Sequence, residues 1–155
     1  SLYMDTLRTW YDKNFGREYM ANRDAAMNIL QQEAELQEIV KLVGQDSLSP
    51  SDRLTLETAR IIREDFLQQN AFVDIDNYSS YDRQARMLDL IIKYDKMCRT
   101  AIENHAVPAD LFAIPARAKI GRAKSVPAEE YKEAYAQIEK EMDTQIKNLY
   151  GGDML

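Results

Sequence analysis

Apolar side chains recur at three- and four-residue spacing through most of this 155-residue chain, and no strand-like alternation persists. That spacing follows the turn of an α-helix, so each segment gathers its apolar residues on one face that must pack against another helix. Residues 3 to 15 place Tyr3, Met4, Leu7, Trp10, Tyr11 and Phe15 on one stripe. A second helix is expected from a cap at Asn22 through Ile29, Leu30, Leu36, Ile39, Val40 and Val43, stopping at Gly44. Ser49-Pro50-Ser51-Asp52 is the clearest start signal: a side-chain acceptor, a proline suited to the first turn and an acid for the positive helix end. The helix it opens carries Leu54, Ala59, Ile62 and Phe66. Ser79 or Ser80 can cap a fourth helix, with Tyr81, Ala85, Leu88, Ile92 and Ile102 as its buried line. Pro108, Pro115 and Pro127 break an irregular region over 106 to 127. A last helix starts near Pro127 and runs through Tyr131, Tyr135, Ile138, Met142, Ile146 and Leu149 to Gly151-Gly152. The expected fold is all-α, a helical bundle of about five helices with an irregular Pro-containing segment before the last.

Composition excludes several classes. Only five glycines and four prolines argue against an all-β fold with many tight turns. No run approaches the roughly 18 apolar residues of a membrane span, so no direct membrane insertion is expected. The start, SLYMDTLRTWYDK, has no signal-peptide pattern, and a single cysteine, Cys98, points to a reducing compartment. With 26 acidic against 20 basic residues, the formal charge of −6 argues against nucleic acid as a partner.

Catalytic and metal-site signals are absent from the sequence. It contains no GxxxxGK[ST] or GxGxxG phosphate loop, and its single histidine, His105, cannot supply the paired ligands of a di-iron bundle. Cys98 reads as a packing thiol. Glu33, Glu35 and Glu38 read as a solvated face, since helical residues two apart point in different directions. Arg117, Lys119, Arg122 and Lys124 form a local basic patch, either a solvated loop or a surface for an acidic neighbour. The stretch FLQQNAFVDIDNY, residues 66 to 78, presents Phe66, Phe72 and Tyr78, aromatics that either cap the core or await a flat ligand. From these residues alone, core is the better reading.

The runs AELQEIVKLVG, DRLTLETAR and REDFLQQNAF resemble the C-terminal helical domain of the catalytic A subunit of archaeal A-type and vacuolar-type rotary ATPases. SLYMDTLRTWY resembles the segment where that subunit leaves its nucleotide-binding domain, and DLFAIPARAKIGRAK resembles the archaeal version of its tail. The resemblance covers essentially the whole chain. It implies that residues 1–155 form a single C-terminal domain of a longer subunit, whose phosphate loop and catalytic glutamate lie upstream. This domain would then hold no catalytic residue, no metal and no cofactor of its own, while Mg-ATP or ADP binds the full-length subunit.

The resemblance also implies two sites. Asp46-Ser47-Leu48-Ser49-Pro50-Ser51-Asp52 matches the rotor-facing DELSEED turn of the related F-type β subunit, keeping only Asp46 and Asp52 of its acids. Phe72 and Tyr78 match two aromatics that flank the adenine ring, with Gln69, Asn70 and Ala71 as neighbours. The implied setting is a hexamer alternating with the B subunit, turning a central stalk and coupling ATP synthesis or hydrolysis to proton transport. Its location would be cytoplasmic, in the soluble head peripheral to the cell membrane. Two other readings of the residues are an acidic helical adaptor with no nucleotide role and a stand-alone bundle enzyme with a metal site, the latter short of ligands. An adaptor could use apolar side chains among Tyr3, Met4, Trp10 and Phe15 equally well.

Overall fold

The computed structural model describes residue 6, residues 16–68 and residues 78–151, with only the backbone for Tyr78 and Ser79. The stripe expected over residues 3 to 15, Tyr3 through Phe15, therefore lies outside the described residues. Six α-helices and no strand occur among the described residues: α1 (Arg17–Val43), α2 (Pro50–Ile61), α3 (Tyr78–Glu103), α4 (Pro108–Phe112), α5 (Pro115–Arg122) and α6 (Tyr131–Lys147). A π-helical turn, Ile62–Leu67, continues α2, and 3-10 turns cover Gln45–Ser47 and Ala123–Ser125. The fold is the expected all-α bundle.

Helix α3 is its centre. It packs against α1, α2 and α6, while α5 lies on α6. Its central position explains why Leu88, Leu90, Ile91, Ile92, Tyr94, Cys98 and Ala101 are all buried, on more than the single line read from the sequence. Of that line, Leu88 and Ile92 are buried, whereas Tyr81, Ala85 and Ile102 are half-exposed. Leu54, Ala59, Ile62 and Phe66 enter the core from α2 and its π-helical turn. Tyr131, Tyr135, Ile138, Met142 and Ile146 enter from α6, at the spacing expected, while Leu149 is exposed.

Several boundaries differ from expectation for physical reasons. Asn22 is no cap: α1 starts at Arg17, and the buried Asn22 amide donates to Asp89 Oδ1 at 3.2 Å. Ser79 and Ser80 lie inside α3 rather than before it. Pro108 and Pro115 begin helices instead of only breaking them, because a first-turn residue needs no amide donor. The region read as irregular thus holds two short helices. Pro127 starts a turn closed by the Glu130 amide on its carbonyl at 2.9 Å, and α6 begins at Tyr131.

Candidate functional site

The turn between α1 and α2 is built by local chemistry. Gly44 takes φ 87°, a left-handed value that a residue with a Cβ adopts at a cost, and its amide caps Val40 O at 2.9 Å. Ser47 Oγ donates to Gly44 O at 2.7 Å, tightening the following 3-10 turn. Ser49 is the cap that the sequence announced: its Oγ accepts from the Asp52 amide at 3.1 Å, with Pro50 in the first turn. Leu48 is buried and pins the turn inward, while Asp46, Ser47, Ser49, Pro50 and Ser51 face solvent and Asp52 is half-buried. Just before the turn, Ile39, Leu42 and Val43 are 45%, 85% and 63% exposed. The hairpin end is therefore an outward surface with an apolar shoulder. Its nearby charges, Glu38 and Lys41, pair with each other at 3.2 Å.

A polar network ties this hairpin to α3. The Thr58 hydroxyl donates to Asp95 Oδ1 at 2.6 Å inside the core, and Arg99 forks onto the same carboxylate at 2.8 and 3.1 Å. Arg99 also donates to Ser51 Oγ at 3.1 Å and Thr55 Oγ1 at 2.9 Å. Asp95 is thus a buried carboxylate fully engaged by one cation and one hydroxyl. Only its Asp95–Arg99 spacing of one helical turn is legible in a sequence; the links to α2 are not.

Gln69, Asn70, Ala71 and Phe72 lie outside the described residues, and Tyr78 contributes only its backbone, as the first residue of α3. Of the three aromatics in the stretch, Phe66 is core, 7% exposed. The helix that starts at Tyr78 is anchored a turn later. Asp82 Oδ2 accepts from Tyr131 Oη at 2.6 Å and from Arg86 Nε at 2.8 Å. Arg83 reaches the C-terminal helix and the turn before it. Neither residue stood out in the sequence, because the partners that tie them to other elements lie some 40 to 52 positions away.

The other sequence candidates are accounted for by packing. Arg117 faces Glu57 at 2.9 Å with both side chains largely buried, and Lys119 holds Glu141 at 2.8 Å. Half of the basic patch therefore meets acids of its own chain, in line with the acidic-neighbour reading, while Arg122 and Lys124 are exposed as the solvated-loop reading has it. Glu33 also departs from the solvated face: it is buried and takes a fork of hydrogen bonds from Arg63 at 2.7 to 3.2 Å, while Glu35 and Glu38 are exposed. Cys98 is buried, and desolvation pushes its thiol up to about 12, as suits a packing thiol. His105 is exposed and holds φ 73° where α3 ends. Among the described residues no group of three or more His, Cys, Asp or Glu side chains could hold a metal ion. A groove of about 210 Å³ between α1 and α3 is lined by Glu18, Asn22, Asp82, Arg86, Asp89 and Lys93 among others, but its α3 charges pair along that helix, Arg86 with Asp82 and Lys93 with Asp89. No described helix is long and apolar enough to cross a membrane.

Fold and site together define a class: an all-α bundle whose distinctive feature is an exposed hairpin end held on a rigid polar network. Residues 8–107 match the family described as the C-terminal domain of V and A type ATP synthase, and this chain belongs to that family. It is 48% identical to the V-type ATP synthase alpha chain of Acetivibrio thermocellus over 96% of its length, covering 25% of that protein. It is 46% identical to the alpha chain of Clostridioides difficile, again over 96% of this chain and 25% of the relative. To the A subunit of the A-type ATP synthase of Methanopyrus kandleri it is 42% identical, with the same coverage. The chain thus spans about a quarter of the length of these relatives. Since they include bacterial as well as archaeal proteins, the resemblance of the tail is not peculiar to archaea.

Proposed function

We propose that this chain is the C-terminal helical domain of the catalytic A subunit, or alpha chain, of a rotary A/V-type ATP synthase. In that reading a nucleotide-binding domain upstream binds Mg-ATP and carries out phosphoryl transfer by positioning and electrostatic stabilisation. The present domain works as a lever in a ring alternating with the B subunit, in the head that stands off the membrane on its cytoplasmic side. Site closure swings the bundle, and the hairpin end, residues 44 to 52, presses on the central stalk. In the direction of synthesis the stalk pushes the hairpin, the nucleotide site opens and ATP leaves. Rotation is thereby coupled to ion, in this reading proton, transport.

The observation that carries this reading is the outward hairpin end, braced by Arg99, in a chain that belongs to the ATP synthase C-terminal domain family. Packed helices transmit force as units, with dihedral change absorbed at a hinge. Cysteines introduced by Ser47→Cys or Ser51→Cys in the assembled enzyme test it directly. Cross-links to a central-stalk protein support the lever; cross-links confined to peripheral-stalk proteins reject the orientation.

The second part of the proposal is that Phe72 and Tyr78 wall the adenine ring, with Gln69, Asn70 and Ala71 beside them. Adenine is flat and weakly polar, so aromatic faces hold it by stacking and exclusion of water. The position of Tyr78 at the head of the central helix supports this: a ring there rides on the most firmly packed element of the bundle.

A further inference from the structure

We infer that Arg99 is a positioning residue for rotational coupling: it locks α2 against sliding along α3 when the hairpin end bears load. The inference rests on the lever reading above. Ser51, Thr55 and Thr58 line one face of α2, and all three hydroxyls are held by Asp95 and Arg99, one turn apart on α3. All three guanidinium nitrogens of Arg99 are engaged on this seam. Nε donates to Asp95 Oδ2 at 2.8 Å and Nη1 to Ser51 Oγ at 3.1 Å. Nη2 donates to Asp95 Oδ1 at 3.1 Å and to Thr55 Oγ1 at 2.9 Å. Thr55 Oγ1 in turn donates to Ser51 O at 3.2 Å, so the fork reaches the first turn of α2 by two routes. Its anchor is deep: Asp95 is 6% exposed and also takes the hydroxyl of Thr58, which is fully buried.

Ser51 belongs to the turn, residues 44 to 52, that is proposed to meet the stalk. On the α1 side that end has little to hold it: from Gln37 to Ser47 every residue is exposed except the half-buried Val40. A push on the turn therefore runs into the start of α2, and part of it acts along the helix axis as shear between α2 and α3. Apolar contact is non-directional, so a seam of aliphatic side chains slides more readily than one with hydrogen bonds of fixed angle. Shear motions of packed helices are small slides of this kind. A guanidinium that grips an acid on α3 and two hydroxyls on α2 fixes the axial register of the pair. A lysine there would keep a positive charge beside Asp95, but its single nitrogen cannot present the planar fork.

Single-molecule rotation of the assembled ATP synthase, with a bead on the central stalk, tests this in Arg99→Lys, Thr55→Val and Lys119→Met. Arg99→Lys keeps a partner charge for Asp95, and Thr55→Val removes one Arg99 acceptor at nearly constant shape. In both, torque on the bead is expected to fall by a larger factor than ATP hydrolysis of the same preparation measured without a bead. Lys119→Met breaks the pair with Glu141 between α5 and α6, away from the hairpin, and is expected to leave the ratio of torque to hydrolysis unchanged. An unchanged ratio in Arg99→Lys, or an equal fall in Lys119→Met, would overturn the role of Arg99. Should Arg99→Lys not assemble, Thr55→Val decides alone: a lower ratio supports the lock, and an unchanged one overturns it. Ser47→Cys separates the lock from the lever itself. If it cross-links to a central-stalk protein while the ratio in Arg99→Lys holds, only the lock fails. If it reaches peripheral-stalk proteins alone, the lever fails and the lock goes with it.

Discussion

Ser49 and Cys98 show how much a single side chain can decide. Ser49 Oγ satisfies the Asp52 amide, one of the orphan donors of α2. Ser49→Ala is expected to destabilise the chain by about 1 kcal/mol, and Ser49→Asp to retain most of the cap. Urea denaturation of the two variants reads this directly. Cys98 carries a thiol held up to about 12 by burial. Only the thiolate is nucleophilic, so iodoacetamide at mildly alkaline pH should leave it unmodified in the folded chain and label it once urea unfolds the bundle. Rapid labelling of the folded chain would show the helix face around Cys98 to be open. The stability consequence has a definite sign. Above the ordinary thiol value of about 8.5 the unfolded chain loses this proton and the folded chain keeps it. The Cys98 contribution to stability is therefore constant at neutral pH and falls as pH rises from there toward about 12. Cys98→Ala should make that alkaline decline shallower.

At the scale of elements, the contacts that matter join helices distant in sequence. Glu57 on α2 and Arg117 on α5 meet at 2.9 Å, 12% and 14% exposed for the cation and the acid. Such a pair adds little over well-packed apolar residues, yet it is costly to break from one side, because the remaining charge is stranded. Glu57→Ala should accordingly cost about 3 to 5 kcal/mol, with Glu57→Leu/Arg117→Met recovering most of that loss in the same denaturation assay. A small effect of the single change would mean that water reaches Arg117 freely. The hairpin formed by α1 and α2 obeys a different logic. Its end is shaped mainly by local residues, Gly44, Ser47 and Ser49, and the turn keeps only Asp46 and Asp52 as acids. Contact through its shape and its exposed Leu42 and Val43 should tolerate salt better than a charged grip would.

At the scale of the whole molecule, the proposed reading makes the bundle a lever with half of a binding pocket at its head. In the assembled enzyme, Phe72→Ala and Tyr78→Ala should each weaken ATP binding by about 1 to 3 kcal/mol, the worth of lost stacking, while the bundle stays folded. If these rings belong to the core, the same changes should instead lower the melting temperature of the isolated chain, by about 3 to 5 kcal/mol of stability for a buried Phe, with nucleotide affinity unmoved. Phe66→Ala is the internal standard for that second outcome, since Phe66 is core. The isolated chain contains no phosphate-binding loop and is expected to show no ATP turnover above background. Turnover that survives removal of contaminating ATPases would contradict this.

Read alone, the amino-acid chain specified what is local and periodic. Three- and four-residue spacing placed Tyr131, Tyr135, Ile138, Met142 and Ile146 on one buried face, and Gly44 with Ser49-Pro50 marked a helix end and a helix start. Those signals depend on backbone chemistry within one or two turns, so they survive without knowledge of any distant residue. The fold in three dimensions was needed to put Asn22 inside a helix facing Asp89 and Glu33 in the interior against Arg63, and to hand Arg117 and Lys119 to Glu57 and Glu141. The same holds for Arg83, whose partners lie about 40 to 52 residues further along. A charged side chain looks solvated until a partner from another helix is known, and its burial becomes tolerable only when that partner is in place.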